Sequence, residues 1–144
     1  MLFVASLSCF DQALYEENDV NAMREALSLF EEVVNARYFK RVSMICFLNK
    51  ADLFEIKIGQ VDIGDHFKEY TGEPHSYELG VAFFRDMFKS QVHGTGAASG
   101  GTGTPDRAIF FHVTTATDRD NVTKVFDDVQ NGVVMRSLQV NGLI

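Results

Sequence analysis

The chain has 144 residues, 46% of them hydrophobic, which is enough for one globular domain with a proper core. Its 13 basic and 20 acidic residues give a formal net charge of -7, which argues against a surface that binds nucleic-acid phosphates. The two cysteines and four histidines lack the spacing of a disulfide or a metal site, so we expect reduced thiols and no bound metal.

The first elements of the chain are a strand, a helix and a second strand. LFVASL (2–7) is short, apolar and β-rich, which predicts a strand buried on both faces. Apolar residues at three- and four-residue steps then predict an amphipathic helix that is capped by Asn18 or Asp19 and ends near Ala36. RVSMICFLN (41–49) predicts a second buried strand.

Two helices and a loop come next. ADLFEIKI (51–58) predicts a short helix directly behind the second strand. The segment from Ser76 to Gln91 predicts a longer amphipathic helix, whose apolar positions are Leu79, Phe83, Phe84, Met87 and Phe88. GTGAASGGTGTP (94–105) is too rich in glycine, serine and threonine to pack a core, so it predicts a flexible surface insertion.

A third strand and a last helix complete the pattern. AIFFHVT (108–114) predicts the strand, and Asp118 or Asp120 can cap the helix behind it. Strands and helices thus alternate, which is typical of a parallel sheet with right-handed crossovers. We predict an α/β fold: one domain over residues 1–144, with a three-layer parallel sheet and helices on both faces.

Polar residues follow two of the predicted strands where each strand ends. NKAD (49–52) follows the second strand and TTATD (114–118) the third. Ligands of open parallel sheets bind outside the carboxyl ends of the strands. If these two strands are neighbours, both segments lie on one rim and form a candidate ligand site.

The residue types on this rim fit guanine. The Asp52 carboxylate can accept from the ring N–H and the amino group of guanine together, a contact that adenine does not offer. Asn49 can bridge the base and the second loop, Lys50 can lay its methylene stem over a purine face, and a backbone N–H near Ala116 can donate to the guanine carbonyl. The alternative is that Asn49 or Asp52 merely caps the following helix and Lys50 is solvated.

Several ordered blocks run along nearly the whole chain: FVASLSCFDQ, NAMREALSLFEEVVNARYF, ICFLNKADLFEIKI, EYTG and HVTTATDRDNVTKVFDDV…LQVNGLI. Together they resemble one family, the α subunits of heterotrimeric G proteins. The resemblance implies a partial Ras-like fold of the P-loop NTPase class, and a GTP/GDP switch coupled to a seven-helix receptor. Thr115 stands where the family usually has cysteine. The nucleotide-binding positions implied are Asn49, Lys50, Ala51, Asp52, Thr115 and Ala116.

The resemblance also implies partners and a location. The last helix and the NGLI tail (141–144) correspond to the part that enters an activated receptor, and the family binds a βγ dimer and effector enzymes. The expected location is the cytoplasmic face of the plasma membrane.

The sequence lacks the catalytic parts that the family uses. The family holds phosphates with a G-x-x-x-x-G-K-[ST] loop and Mg²⁺ with a threonine and a serine, and it hydrolyses GTP with an arginine and a D-x-x-G-Q segment. Gly96 and Gly101 have the glycine spacing of that loop, but Thr102 stands where lysine is required, and no D-x-x-G occurs. We predict no catalytic residue, no magnesium ligand and no GTP hydrolysis by this chain.

The resemblance covers only the carboxyl half of the family's Ras-like domain. We therefore expect the remainder of the domain to lie upstream of Met1, and the first strand to be an exposed edge without it. Without phosphate contacts, we expect the chain to bind nucleotide at millimolar concentrations or not at all. The alternative function is a non-catalytic interaction module that docks on a receptor or effector.

Overall fold

The computed structural model describes residues 1–16, 19–93 and 108–115, together with the helical residues 123, 126, 127, 130 and 131. The predicted insertion at 94–105 and most of the predicted last helix lie outside the described residues. None of the helices in the described ranges is both long enough and apolar enough to cross a membrane. The elements are β1 (Leu2–Ser6), α1 (Ala22–Asn35), β2 (Met44–Asn49), α2 (Ala51–Ile58), α3 (Tyr77–Ser90) and β3 (Ile109–Val113).

The strands form one parallel sheet in the order β1-β2-β3. Ser6 lies opposite Asn49, and Leu48 lies opposite Val113, so all three strands end at the same rim. The predicted α/β fold is confirmed, and β2 and β3 are neighbours as the candidate site requires.

One face of the sheet carries the main core. Phe3 of β1 contacts Phe30 of α1 and Phe88 of α3, with ring centroids 5.1 and 6.4 Å apart. Cys46 on the same face is fully buried, and burial raises the pKa of its thiol to about 12. Both cysteines are free, as predicted, although Cys9 is only half-buried. The tight packing of aromatic rings fixes the sheet against α1 and α3.

The opposite face is covered only in part by the described residues. Phe47 of β2 packs edge-on against Phe126 in the last helical segment, with ring centroids 5.5 Å apart. Leu2 and Val4 of β1 project to this same face and are 50% and 53% exposed. The prediction that the first strand is buried on both faces is therefore wrong, because β1 has only one neighbour among the described strands.

The helix boundaries follow capping side chains. Asn21, not Asn18 or Asp19, caps α1: its Oδ1 accepts from the backbone N–H groups of Met23 and Arg24. The cap prediction was wrong because Val20 and Ala22 form backbone hydrogen bonds with Leu14 and Gln12, so the helix begins only after Asn21.

The predicted span of α3 is confirmed. Ser76 caps this helix, and Gln91 is its carboxyl cap. Leu79 was predicted to face inward but is 43% exposed. Gly80 takes the inner position, where a Cβ would lie 2.8 to 2.9 Å from side-chain atoms of α2 and the turn after it.

A half-buried ion pair fixes α2 beside the end of β1. The Lys57 ammonium donates to the Asp11 carboxylate at 2.8 Å and to the Ser8 carbonyl at 2.6 Å. Side-chain exposures of 24% and 18% mean that this pair is partly shielded from water, so it holds its geometry better than a surface pair. The last turn of α2 is thereby held against the segment that follows β1.

Candidate functional site at the carboxyl rim of the sheet

The site begins where β2 and β3 end. Asn49 is the last residue of β2, and Thr114 follows the last residue of β3. The Thr114 backbone N–H donates to the Leu48 carbonyl at 2.9 Å, which extends the strand pairing by one step. NKAD and the described start of TTATD, Thr114 and Thr115, therefore lie at one rim, as the sequence predicted.

Thr114 joins the two segments through further hydrogen bonds. Its hydroxyl donates to Asn49 Oδ1 at 3.2 Å, and its carbonyl accepts from the Ala51 N–H at 3.2 Å. The residue is only 3% exposed, so its polar groups are satisfied by these contacts rather than by water. Sequence reasoning missed Thr114; the available signal was a hydroxyl residue in register with Asn49 on a neighbouring strand.

The turn into α2 uses no capping side chain. Lys50 takes the cap position with φ 57° and ψ 41°, a left-handed conformation that is uncommon for a residue other than glycine. Neither Asn49 nor Asp52 accepts a hydrogen bond from the first turn of the helix. The alternative that these residues merely cap α2 is therefore wrong.

The polar side chains of the rim keep unused bonding capacity. Asp52 is exposed in the first turn of α2, and no hydrogen bond or ion pair within the described ranges engages its carboxylate. The Lys50 ammonium is exposed and likewise unpaired there. Asn49 uses Oδ1 toward Thr114, and its amide nitrogen has no partner among the described residues. A carboxylate, an ammonium and an amide donor within four consecutive residues thus have no partner among the described residues.

Three further positions were predicted to bind the nucleotide: Ala51, Thr115 and Ala116. Ala51 is 5% exposed, and its N–H is already bonded to Thr114, so it supports the rim from below. Thr115 is half-buried directly after Thr114 on the second segment. Ala116, predicted to donate its N–H to the base, lies outside the described residues.

A groove of about 430 Å³ adjoins the rim on the β1 side. Ser6, Lys50, Leu53 and Lys57 are among its lining residues. Lys57 is already held by Asp11, whereas Lys50, which also lines the groove, forms no ion pair with another described residue. No cluster of three or more metal-ligating side chains occurs within the described ranges.

Comparison with known proteins identifies the family. The model of the G-protein alpha subunit family matches residues 1–133. The chain is 36% identical to guanine nucleotide-binding protein alpha-4 subunit of Dictyostelium discoideum, over 96% of this chain and 37% of that protein. It is also 36% identical to human guanine nucleotide-binding protein subunit alpha-15, over 100% of this chain and 39% of that protein.

A nematode relative agrees with these matches. The alpha-8 subunit of Caenorhabditis briggsae is 38% identical over 99% of this chain and 36% of that protein. The chain thus spans less than two-fifths of the length of these curated relatives. The family match over nearly the whole chain agrees with the parallel sheet and the polar rim, and the chain belongs to the G-protein α-subunit family.

Proposed function

We propose that the rim formed by Asn49, Lys50 and Asp52 recognises the guanine base of GTP or GDP. The observation that carries this proposal is the uncapped start of α2. Neither Asn49 nor Asp52 caps the helix, and within the described ranges the Asp52 carboxylate and the Asn49 amide nitrogen have no partner. Lys50 also adopts a left-handed backbone conformation. Strain and open bonding capacity at one place are typical of a ligand site.

Guanine complements the groups that this rim leaves open. The two oxygens of Asp52 match the ring N–H and the exocyclic amino group of the base, which are adjacent donors. The free amide nitrogen of Asn49 can donate to an acceptor atom of the base, because its oxygen is occupied by Thr114. The Lys50 stem supplies an apolar surface for the ring. Adenine would present an acceptor and no amino group toward Asp52, so the rim disfavours it.

The biological role that we propose follows the family. A protein that contains this segment would act as a guanine-nucleotide switch in receptor signalling, with a receptor, a βγ dimer and an effector as partners. The given sequence lacks the phosphate loop and the D-x-x-G segment. It therefore supplies base recognition, whereas phosphate binding, Mg²⁺ and hydrolysis need residues that this chain does not contain.

The proposal is tested by titrating the chain with GMP and with AMP, each to about 10 mM, while backbone amide shifts are followed by NMR. We expect GMP to shift the amides of residues 49–52 and AMP to leave them unchanged. Asp52→Ala should abolish the GMP response, because losing a charge-assisted bidentate contact weakens binding by roughly 10- to 100-fold.

Glu55→Ala is the matched control, since it removes one exposed carboxylate from the next turn of the same helix. This variant should respond to GMP as the parent chain does. Equal responses to GMP and AMP, or equal losses in the two variants, would rule out base reading by Asp52.

A further inference from the structure

A cluster of exposed cations and an aromatic ring lies at the end of the sheet opposite the guanine rim. The segment between α1 and β2, here called the basic loop (residues 37–42), contains Arg37, Tyr38, Lys40 and Arg41. All four side chains are exposed, and Tyr38 is 88% exposed. Val42 adds an exposed aliphatic group at 38%.

The cations of this loop have no partners within the described ranges. Neither Arg37, Lys40 nor Arg41 takes part in an ion pair there. The nearest acids in sequence are Glu31, which pairs with His93 at 3.3 Å, and Glu32, which is exposed on α1 and forms no ion pair with the loop. A net positive patch therefore stands out on a chain whose net charge is -7.

The loop holds its shape through backbone contacts. The Phe39 N–H donates to the Ala36 carbonyl at 2.9 Å, and the Val42 N–H donates to the Phe39 carbonyl at 3.0 Å. Consecutive turns of this kind display the side chains outward from a defined backbone. None of the loop residues lines the groove that adjoins the guanine rim.

We propose that the basic loop docks on a membrane surface rich in anionic phospholipid headgroups. Unpaired Lys and Arg side chains are each attracted to such a surface, and an exposed tyrosine is suited to the headgroup region. Three exposed cations and an exposed tyrosine on one short loop can contact a flat anionic surface together. Because β2 is six residues long, the loop lies roughly 17–20 Å from the guanine rim, which would remain open on the far side.

Vesicle sedimentation with the complete chain tests this proposal. Vesicles of phosphatidylcholine with about 30% phosphatidylserine should bind the chain, whereas pure phosphatidylcholine vesicles should not. Binding should weaken strongly between about 50 and 300 mM salt, because the attraction is screened. The double variant Lys40→Gln/Arg41→Gln should bind roughly 30-fold more weakly, about fivefold for each lost cation.

Lys68→Gln/Lys89→Gln is the matched control, since it removes the same charge from exposed positions elsewhere. This control should bind vesicles as the parent chain does, and an unchanged unfolding temperature in both double variants checks that they are folded. Equally weakened vesicle binding by the two double variants, or no vesicle binding by the parent chain, would overturn the proposal. So would binding of an acidic peptide such as polyglutamate through this loop without vesicle binding. None of these measurements depends on nucleotide, so they test membrane docking independently of guanine recognition.

Discussion

Thr114 is the residue that connects the two halves of the rim. Its hydroxyl, N–H and carbonyl reach Asn49, Leu48 and Ala51, and each contact is shielded from water. Asn49 and Asp52 could be predicted from the sequence because amide and carboxylate groups at a strand end are common ligand-binding groups. A threonine after a strand is common without any role in binding, and only the strand register shows that Thr114 lies beside Asn49.

A double-mutant cycle tests the connection between Thr114 and Asn49. Thr114→Val keeps the shape of the side chain but removes the hydroxyl, which should lower the free energy of unfolding by about 1 kcal/mol. Thr114→Ser keeps the hydroxyl and should therefore retain most of this stability. With Asn49→Ala as the second change, the coupling energy should be about 0.5–1.5 kcal/mol. Urea unfolding of the parent chain, the two single variants and the double variant gives the four free energies of unfolding. Additive losses would mean that the hydroxyl does not stabilise the Asn49 amide.

At the scale of elements, the pattern of the sequence predicted the three strands and the helices α1, α2 and α3, but not which faces of the sheet are covered. Periodicity and β-branched residues locate β1, because they are local properties. Burial depends on neighbours, and β1 pairs with β2 alone among the described strands. Val4 is therefore 53% exposed although its sequence context is that of a buried strand. An apolar edge of this kind is prone to pair with another chain.

Charge on this edge should suppress that pairing. We expect the chain to self-associate at concentrations of about 100 µM, and Val4→Lys to shift it toward the monomer, because an edge lysine opposes strand addition. Leu29→Lys is the control, as Leu29 is 50% exposed on α1, away from the edge. Sedimentation equilibrium gives the masses. A monomeric parent chain, or equal effects of the two lysines, would contradict this role for β1.

At the scale of the whole molecule, the chain combines the rim that we propose for base recognition with a sequence that contains no G-x-x-x-x-G-K-[ST] motif. It spans 36% to 39% of the length of the relatives named above, and the same fold positions that identify the family also bring Asn49 and Thr114 together. The family could be predicted from ordered sequence blocks. The left-handed backbone conformation of Lys50 could not be predicted, because lysine has no particular preference for a positive φ.

Our main proposal is that this chain contacts the guanine base of a nucleotide and makes no contact with its phosphates. Isothermal titration calorimetry or NMR with GMP and with GDP plus Mg²⁺ compares the two contributions directly. We predict dissociation constants that are both in the millimolar range and agree within about threefold, because the chain offers no loop to hold the added phosphate. Micromolar binding of GDP, far tighter than that of GMP, would contradict the account by showing that the chain contains a phosphate site of its own.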